Sequence, residues 1–296
     1  MRRSHLLPSA AFALLLPLAA AAQPTERVAT FPGWVDGGVY EVTTHMAMPQ
    51  TMEMRVAGQT QTRRTSNEMR TAQTLHPVRT RGGWEVSMRT DRMHSTSTSS
   101  MAPEAVVIDS DNLDAVPEAQ RETLRALVGA TLVARFDPAF ALLGIAPADA
   151  VTTPELAAMV ENTSAMFAFP RQPMAPGETW ETTGQTTMLG LPMTVASRYT
   201  LARVADDSLH FDVHTTYEAD GPVATPQSPV PMTARMTMRG EGPSTYAVHR
   251  RNGGSFSTGR YTMAGQMTMM ADALPEPMVT DMRTDAVSSS ATRLRD

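Results

Sequence analysis

Apolar and polar residues alternate along two long stretches of the chain, 37–100 and 178–292. In the first stretch Tyr40, Val42 and Met46 belong to one row of every second position. Side chains two positions apart lie on the same face of a β-strand, so this period of two predicts half-buried strands. Glycine- and proline-containing turn sequences interrupt the rows, as expected between antiparallel neighbours.

The segment between these stretches, 115–168, has a pattern that predicts two short helices. Pro117 opens the first one, its apolar residues include Leu124, and Gly129 can end it. Thr153 fits the N-cap of the second helix, because a proline and a glutamate follow it directly.

These patterns predict a mainly β (α+β) fold: long antiparallel strands in a curved sheet or open barrel, with two short helices from the middle of the chain. The predicted organisation is a signal peptide, 1–22, followed by one β-rich domain, 23–296. Within the domain a strand block, 37–100, precedes the helical insert, 115–168, and a second strand block, 178–292. The two blocks begin with short, similar sequences, which leaves an internal duplication open.

The first residues predict export from the cytoplasm. Arg2 and Arg3 precede an almost wholly apolar run, and small residues before Gln23 fit a cleavage site. The run is shorter than the roughly 20 apolar residues of a spanning helix. We therefore expect a periplasmic or extracellular protein whose mature chain has no transmembrane span.

The composition excludes several classes of function. The chain contains neither lysine nor cysteine, which removes lysine and thiol nucleophiles, disulfides, zinc-thiolate sites and a lipid-bearing cysteine anchor. A net charge of -5 offers no basic surface to nucleic acid. No hydrolase motif or phosphate-binding loop occurs. We expect a protein that is not an enzyme and that needs no cofactor.

Methionine is unusually frequent, with 23 residues, and many of them stand two positions apart. One interpretation is that they line the inside of the sheet. Unbranched, polarizable methionine makes adaptable surfaces that accept varied apolar ligands, so the partner would be a lipid or another apolar small molecule. A lid is expected from 140–145 or from 222–231. The candidate cavity residues are Met54, Met236, Met238, Met267, Met269, Phe140 and Leu143.

A second interpretation is a soft-metal site, because thioether sulfur is a ligand for Cu(I). Methionine adjoins histidine at 45–48 and at 93–94, and a third segment, 210–214, places two histidines and an aspartate on one strand face, where zinc or a similar ion could bind. The candidate ligands are His45, Met46, Met48, Met93, His94, His210, Asp212 and His214. A third alternative is a structural or protein-interaction domain that uses exposed strand edges.

One segment, 169–180, resembles a pattern of exported bacterial β-rich proteins of unknown function. It contains Phe169 and Pro170, a further proline, and then Gly177-Glu178-Thr179-Trp180. The resemblance implies an envelope or secreted protein and carries over no catalytic residue. The layout of long strands plus helices is also similar, more remotely, to periplasmic lipoprotein and lipid carriers, whose half-barrels hold acyl chains. That similarity implies a hydrophobic ligand or an envelope component.

Overall fold

The computed structural model of the protein describes residues 27–28, 33–56, 58–138, 140, 142–148, 172–188, 191–205, 207–223, 232–271 and 276–295. The strands are β1 (Tyr40–Val56), β2 (Gln59–Thr80), β3 (Gly83–Ser99), β4 (Ala102–Asp109), β5 (Thr131–Phe136), β6 (Leu142–Pro147), β7 (Thr179–Met188), β8 (Leu191–Ala205), β9 (Ser208–Val223), β10 (Met232–His249), β11 (Ser255–Ala271) and β12 (Met278–Leu294). One helix, α1 (Glu118–Leu127), follows a 3-10 turn at Leu113–Ala115.

All twelve strands of the described residues belong to one antiparallel sheet, in the order β6-β5-β3-β2-β1-β12-β11-β10-β9-β8-β7, with β4 beside β3. The first long strand pairs with the last, from Tyr40 opposite Leu294 to Arg55 opposite Val279. This pairing joins the two strand blocks into a single sheet. Within the order, β6 and β7 are the two end strands, so the sheet is unclosed.

The sheet is strongly curved, because residues from strands near its opposite ends share one apolar core. Leu132 and Phe136 of β5 belong to the same cluster as Leu201 of β8 and Leu209 of β9. All four side chains are almost completely buried. The prediction of a mainly β fold with a curved antiparallel sheet is therefore confirmed.

Four aromatic rings fill this core at the end where β1 begins. The Trp34 ring centroid lies 5.3 Å from Phe136, 5.8 Å from Phe140 and 6.0 Å from Trp84. Trp84 and Phe140 stack at 5.8 Å. Aromatic pairs in such tilted and offset arrangements add to the stabilisation from burial alone. We call this part of the molecule the aromatic end.

The described part of the segment 169–180 leads into β7 at the aromatic end. Gly177 has a φ of +89° in the turn before the strand. The Glu178 carboxylate accepts a hydrogen bond from the Ala175 backbone N–H at 3.0 Å and pairs with Arg27 at 2.7 Å. Trp180 then packs on Tyr199, with ring centroids 5.0 Å apart. The motif thus turns the chain into the sheet and places an indole against the core.

The middle of the chain contains more strand than its pattern predicted. Helix α1 lies where the first helix was expected, and Leu124 is 2% exposed. However, β5 and β6 fall within the predicted helical insert, and the expected loop 140–145 contributes most of β6. Strand β5 forms because its alternate residues complete the core beside β3, where Trp84 pairs with Phe136. The second predicted helix, from Thr153, lies outside the described residues.

Two strands of the sheet are unusually long. Strand β2 runs without a break from Gln59 to Thr80, and β10 runs from Met232 to His249. In β10, Pro243 lies where the pairing with β11 skips two residues, so its missing N–H costs no ladder hydrogen bond there. Long partners on both sides keep each strand extended.

Tyr40 connects the beginning of β1 to two loops at the aromatic end. Its side chain is fully buried, at 0% exposure. The hydroxyl oxygen accepts a hydrogen bond from the Val35 backbone N–H at 2.8 Å and donates one to the Asn252 carbonyl. Burial raises the pKa of this hydroxyl, against the opposing effect of the Val35 hydrogen bond. One side chain therefore holds the approach to β1 against the β10–β11 hairpin.

We expect Tyr40→Phe to lower the free energy of unfolding by about 1–3 kcal/mol, because both backbone partners lose their hydrogen bond in a buried place. The measurement is urea denaturation followed by circular dichroism. Tyr217→Phe is the matched control, since no described residue hydrogen-bonds to the Tyr217 hydroxyl. An equal loss in both variants would show that removal of a hydroxyl in itself, and not the loss of the two backbone hydrogen bonds, determines the effect at Tyr40.

Candidate ligand-binding site on the inner face

The two faces of the sheet differ sharply in chemistry. In β9, Leu209, Phe211 and Val213 are buried, whereas Asp212 and His214 between and after them are exposed. Residues directly opposite each other in an antiparallel pair lie on the same face. The strand registers therefore extend this assignment across the sheet. We call the face with the buried residues the inner face and the other the outer face.

Charged residues and histidines of β1–β3 and β8–β12 occupy the outer face, with two exceptions. Only Arg63 and Arg79, near opposite ends of β2, stand at inner register positions in these eight strands. On the outer face, cross-strand ion pairs such as Arg235 with Asp220, at 2.9 Å, are in water. Desolvation of a charge is costly unless it is paired. The inner face is thus uncharged over most of its length.

Methionines from six strands lie together on the inner face, at the end away from the aromatic core. One row across the sheet runs from Met236 through Met267 and Thr280 to Met54. We call this set the methionine layer. Its members are Met46, Met48, Met52, Met54, Met69, Met193, Met236, Met238, Met263, Met267, Met269, Met278 and Met282.

The methionine layer is partly covered and partly accessible. Met193, Met236 and Met238 are buried, in a cluster with Leu191 and Ala219. The members on β1, β2, β11 and β12 are half-buried. An apolar surface of this kind, with accessible methionines beside buried ones, can take up an apolar ligand and repack around it.

Five of the seven predicted cavity residues lie in this layer. Met54, Met236, Met238, Met267 and Met269 share the inner face of four neighbouring strands. The other two lie elsewhere. Phe140 packs among the tryptophans of the aromatic end, and Leu143 is 66% exposed on the end strand β6. The alternative lid, 222–231, lies mostly outside the described residues.

Side-chain hydroxyls separate the methionine layer from the aromatic end. Thr44 lies opposite both Ser290 and Thr71, and Ser290 lies opposite Ser257. The Thr44 and Ser290 hydroxyls hydrogen-bond to each other at 3.3 Å. We call the row formed by Tyr246, Ser257, Ser290, Thr44 and Thr71 the hydroxyl belt.

Tyr261 covers the sheet beside this belt. A Cβ added at Gly259 would lie 2.6 Å from the Tyr261 hydroxyl oxygen, and one at Gly242 would lie 2.7 Å from the Tyr261 Cα. Only glycine at these two positions leaves room for the Tyr261 ring and for its backbone. Tyr261 also meets Tyr217 edge to face, with ring centroids 5.7 Å apart. On this part of the inner face, the glycines therefore provide the space that the Tyr261 ring occupies.

Tyrosines near the belt resist ionisation. Burial raises the pKa of Tyr246 to about 12, although its hydrogen bond with Ser255 acts in the opposite direction. Burial also raises the pKa of Tyr217, and the neighbouring hydroxyls of Tyr261 and Tyr199 raise it further. Burial raises the pKa of Tyr199 as well. These hydroxyls stay neutral around physiological pH, in agreement with an uncharged inner face.

The predicted soft-metal ligands are divided between the two faces. His45 lies on the outer face, where its Nε2 is 2.9 Å from the Glu68 carboxylate, while Met46 and Met48 lie on the inner face. Met93 is likewise inner, and His94 is outer, 3.5 Å from the Asp109 carboxylate. Successive side chains of a strand point to opposite faces. Sequence neighbours here are therefore not neighbours around a common ion.

The remaining metal candidates, His210, Asp212 and His214, share the outer face of β9. His214 lies 3.5 Å from Glu241 on β10. Among the residues that the structure describes, no group of three or more His, Cys, Asp or Glu side chains is arranged to hold a metal ion. The same part of the chain contains no helix whose length and apolarity would let it cross a membrane.

Comparison with known proteins gives a family of unknown function and matches to solved structures. A model described as "Family of unknown function (DUF6263)" matches residues 155–254, which include the segment 169–180. The chain is also similar to a structure described as the crystal structure of Pseudomonas aeruginosa OccK2 (OpdF). Identity is 8%, the TM-score is 0.19, and the match covers 86% of this chain and 98% of that chain. No curated protein matches the chain.

The hydroxyl belt is the part of the site that sequence analysis missed. Its residues stand in the same alternating rows as the methionines. The available signal was the absence of charge at every second position. Serine and threonine in a threonine-rich strand carry no local sign of which of them will meet across the sheet.

We expect the unfolding free energy to fall as the pH rises from about 10 to about 12. The sign follows from Tyr246: the unfolded chain releases its proton near its ordinary pKa of 10.0, whereas the folded protein holds it to about 12. This single group accounts for roughly 2–3 kcal/mol over that range. Urea denaturation at about pH 10 and about pH 12 measures the loss. Tyr246→Phe should reduce this pH dependence, and an unchanged dependence would contradict the assignment.

Proposed function

We propose that this is an exported, non-enzymatic protein that binds a hydrophobic ligand on the methionine layer. The observation that carries the proposal is the register that aligns Met236, Met267 and Met54 on one uncharged face. The ligand would lie along the inner face, with its apolar part on these side chains.

The distribution of apolar residues on the inner face favours a ligand-binding role for the methionine layer over a role only in the core. The aromatic end supplies a closed core of buried leucine, valine and aromatic side chains. The methionines on β1, β11 and β12 are not needed for that core, because they lie at the other end and remain half-buried. Thioether side chains keep rotamer freedom and adjust to differently shaped apolar groups. Removal of their surface from water would supply the binding energy.

Export is supported by the apolar sequence at 1–22, which lies outside the described residues. The chain has no cysteine, so its folding in an oxidising compartment would need no disulfide. The support for export is independent of the ligand.

The test measures binding of 1-N-phenylnaphthylamine, an uncharged apolar fluorescent probe, to the purified full chain. The variant Met54→Gln/Met267→Gln replaces two half-buried members of the layer with polar side chains of similar length. We expect about a tenfold or greater loss of probe affinity, because each glutamine costs about 1 kcal/mol of apolar contact. Native mass spectra of protein purified from its own envelope fraction should also show a solvent-extractable mass.

The matched control is Met101→Gln/Met270→Gln. Its two methionines are 66% and 56% exposed, outside the layer, so the probe affinity should stay at the wild-type value. Circular dichroism and thermal unfolding show whether each variant keeps its fold. A probe that does not bind wild type, or that binds both double variants equally well, would overturn the proposal.

A further inference from the structure

We infer that the ligand is a neutral amphiphile, such as a monoacylglycerol, whose uncharged hydroxyl-bearing head lies on the hydroxyl belt while its acyl chain lies on the methionine layer. This inference rests on the proposed function and specifies the class of ligand. Three features of the inner face support it: accessible hydroxyls in the belt, no counter-charge beside them, and direct contact between the belt and the methionine layer on β1 and β2.

The hydroxyl belt has unused hydrogen-bonding capacity. A serine or threonine hydroxyl can donate one hydrogen bond and accept two. Thr44 and Ser290 hydrogen-bond to each other, but the Thr71 and Ser257 hydroxyls bond to no other described residue. All four side chains are half-buried, and no buried side-chain oxygen or nitrogen in the described residues lacks a partner. The free hydroxyls are therefore accessible, and a polar head group can use them.

The inner face offers no partner for a charged head group at the belt. In β1–β3 and β8–β12 the carboxylates and histidines occupy outer positions, and the inner arginines lie near the two ends of β2. An ionised carboxylate or phosphate at Thr44 and Ser290 would lose water without gaining a counter-ion. A glycerol head group loses much less free energy on leaving water, because its hydroxyls replace hydrogen bonds to water with hydrogen bonds to the belt.

The belt and the methionine layer are adjacent rungs of the same strands. Met46 follows Thr44 on the inner face of β1, and it lies opposite Met69 of β2. On β12, the inner positions Ser288, Ala286 and Thr284 lie between Ser290 and Met282, so the two surfaces adjoin directly on β1 and β2. One amphiphile can therefore contact hydroxyls with its head and methionines with its chain. Arg63 lies opposite Met52, at the far end of the layer, where it is exposed.

The experiment compares three ligands with the same lauroyl or lauryl chain: monolauroylglycerol, laurate and lauryl phosphate. Each displaces 1-N-phenylnaphthylamine from the full chain at about pH 8, where the carboxylate and phosphate are ionised. We expect monolauroylglycerol to displace the probe at a concentration about tenfold lower than either anion. Equal or tighter binding of an anion would overturn the inference and leave the proposed function standing. Failure of the probe and all three ligands to bind would instead overturn the proposed function.

Two variants test the belt directly. Thr44→Val/Ser290→Ala removes two belt hydroxyls with little change in shape, and we expect about a fivefold or greater loss of affinity for monolauroylglycerol. Affinity for the probe, which has no such head group, should stay unchanged. The control Thr43→Val/Ser289→Ala makes the same changes at the adjacent outer positions. Equal losses in both double variants would contradict a role for the belt.

Arg63→Gln tests the opposite orientation of the ligand. If the head group lay at the far end of the methionine layer, an anionic ligand would pair with Arg63 and its affinity would fall several-fold in this variant. That result, together with preferential binding of laurate or lauryl phosphate, would overturn the inference. We expect Arg63→Gln to leave monolauroylglycerol affinity at the wild-type value.

Discussion

The antiparallel pairing of β1 with β12 fixes the chemistry of the inner face, because it sets two strand blocks from opposite ends of the chain in one register. In this register Met54 lies opposite Thr280, and Thr44 lies opposite Ser290. A slip of one residue would turn the inner row of one strand outward and bring its charged residues inside. The desolvation cost of such charges opposes that slip. Tyr40 adds a local restraint through its two backbone hydrogen bonds where β1 begins.

Three kinds of surface follow each other along the inner face as a result. The aromatic end closes the curved sheet with large buried side chains. The hydroxyl belt comes next, where glycines and Tyr261 pack closely together. The methionine layer continues from there. The closed core therefore lies at one end of the inner face, and the methionine layer, where we propose that the ligand binds, lies at the other.

Much of the methionine layer could be predicted from sequence, but the hydroxyl belt could not. Met236 and Met238 stand two apart, so a shared face followed from strand geometry alone. The same geometry places His45 and Met46 on opposite faces, which the soft-metal interpretation had not taken into account. Phe140 belongs to the aromatic end and not to the methionine layer, because the chain around β5 and β6 joins the sheet beside β3. The hydroxyl belt depends on cross-strand registers that no local pattern contains.

Local sequence patterns are sufficient for the antiparallel β class, the alternation of faces and the helix at Glu118–Leu127, because each depends on residues close together in the chain. The composition also excludes lysine and cysteine chemistry. The pairing of β1 with β12, the continuity of β2 and β10, and the two additional strands in the middle of the chain become evident only in the folded protein. These features depend on partners far apart in sequence, whose pairing satisfies backbone hydrogen bonds and buries a common core.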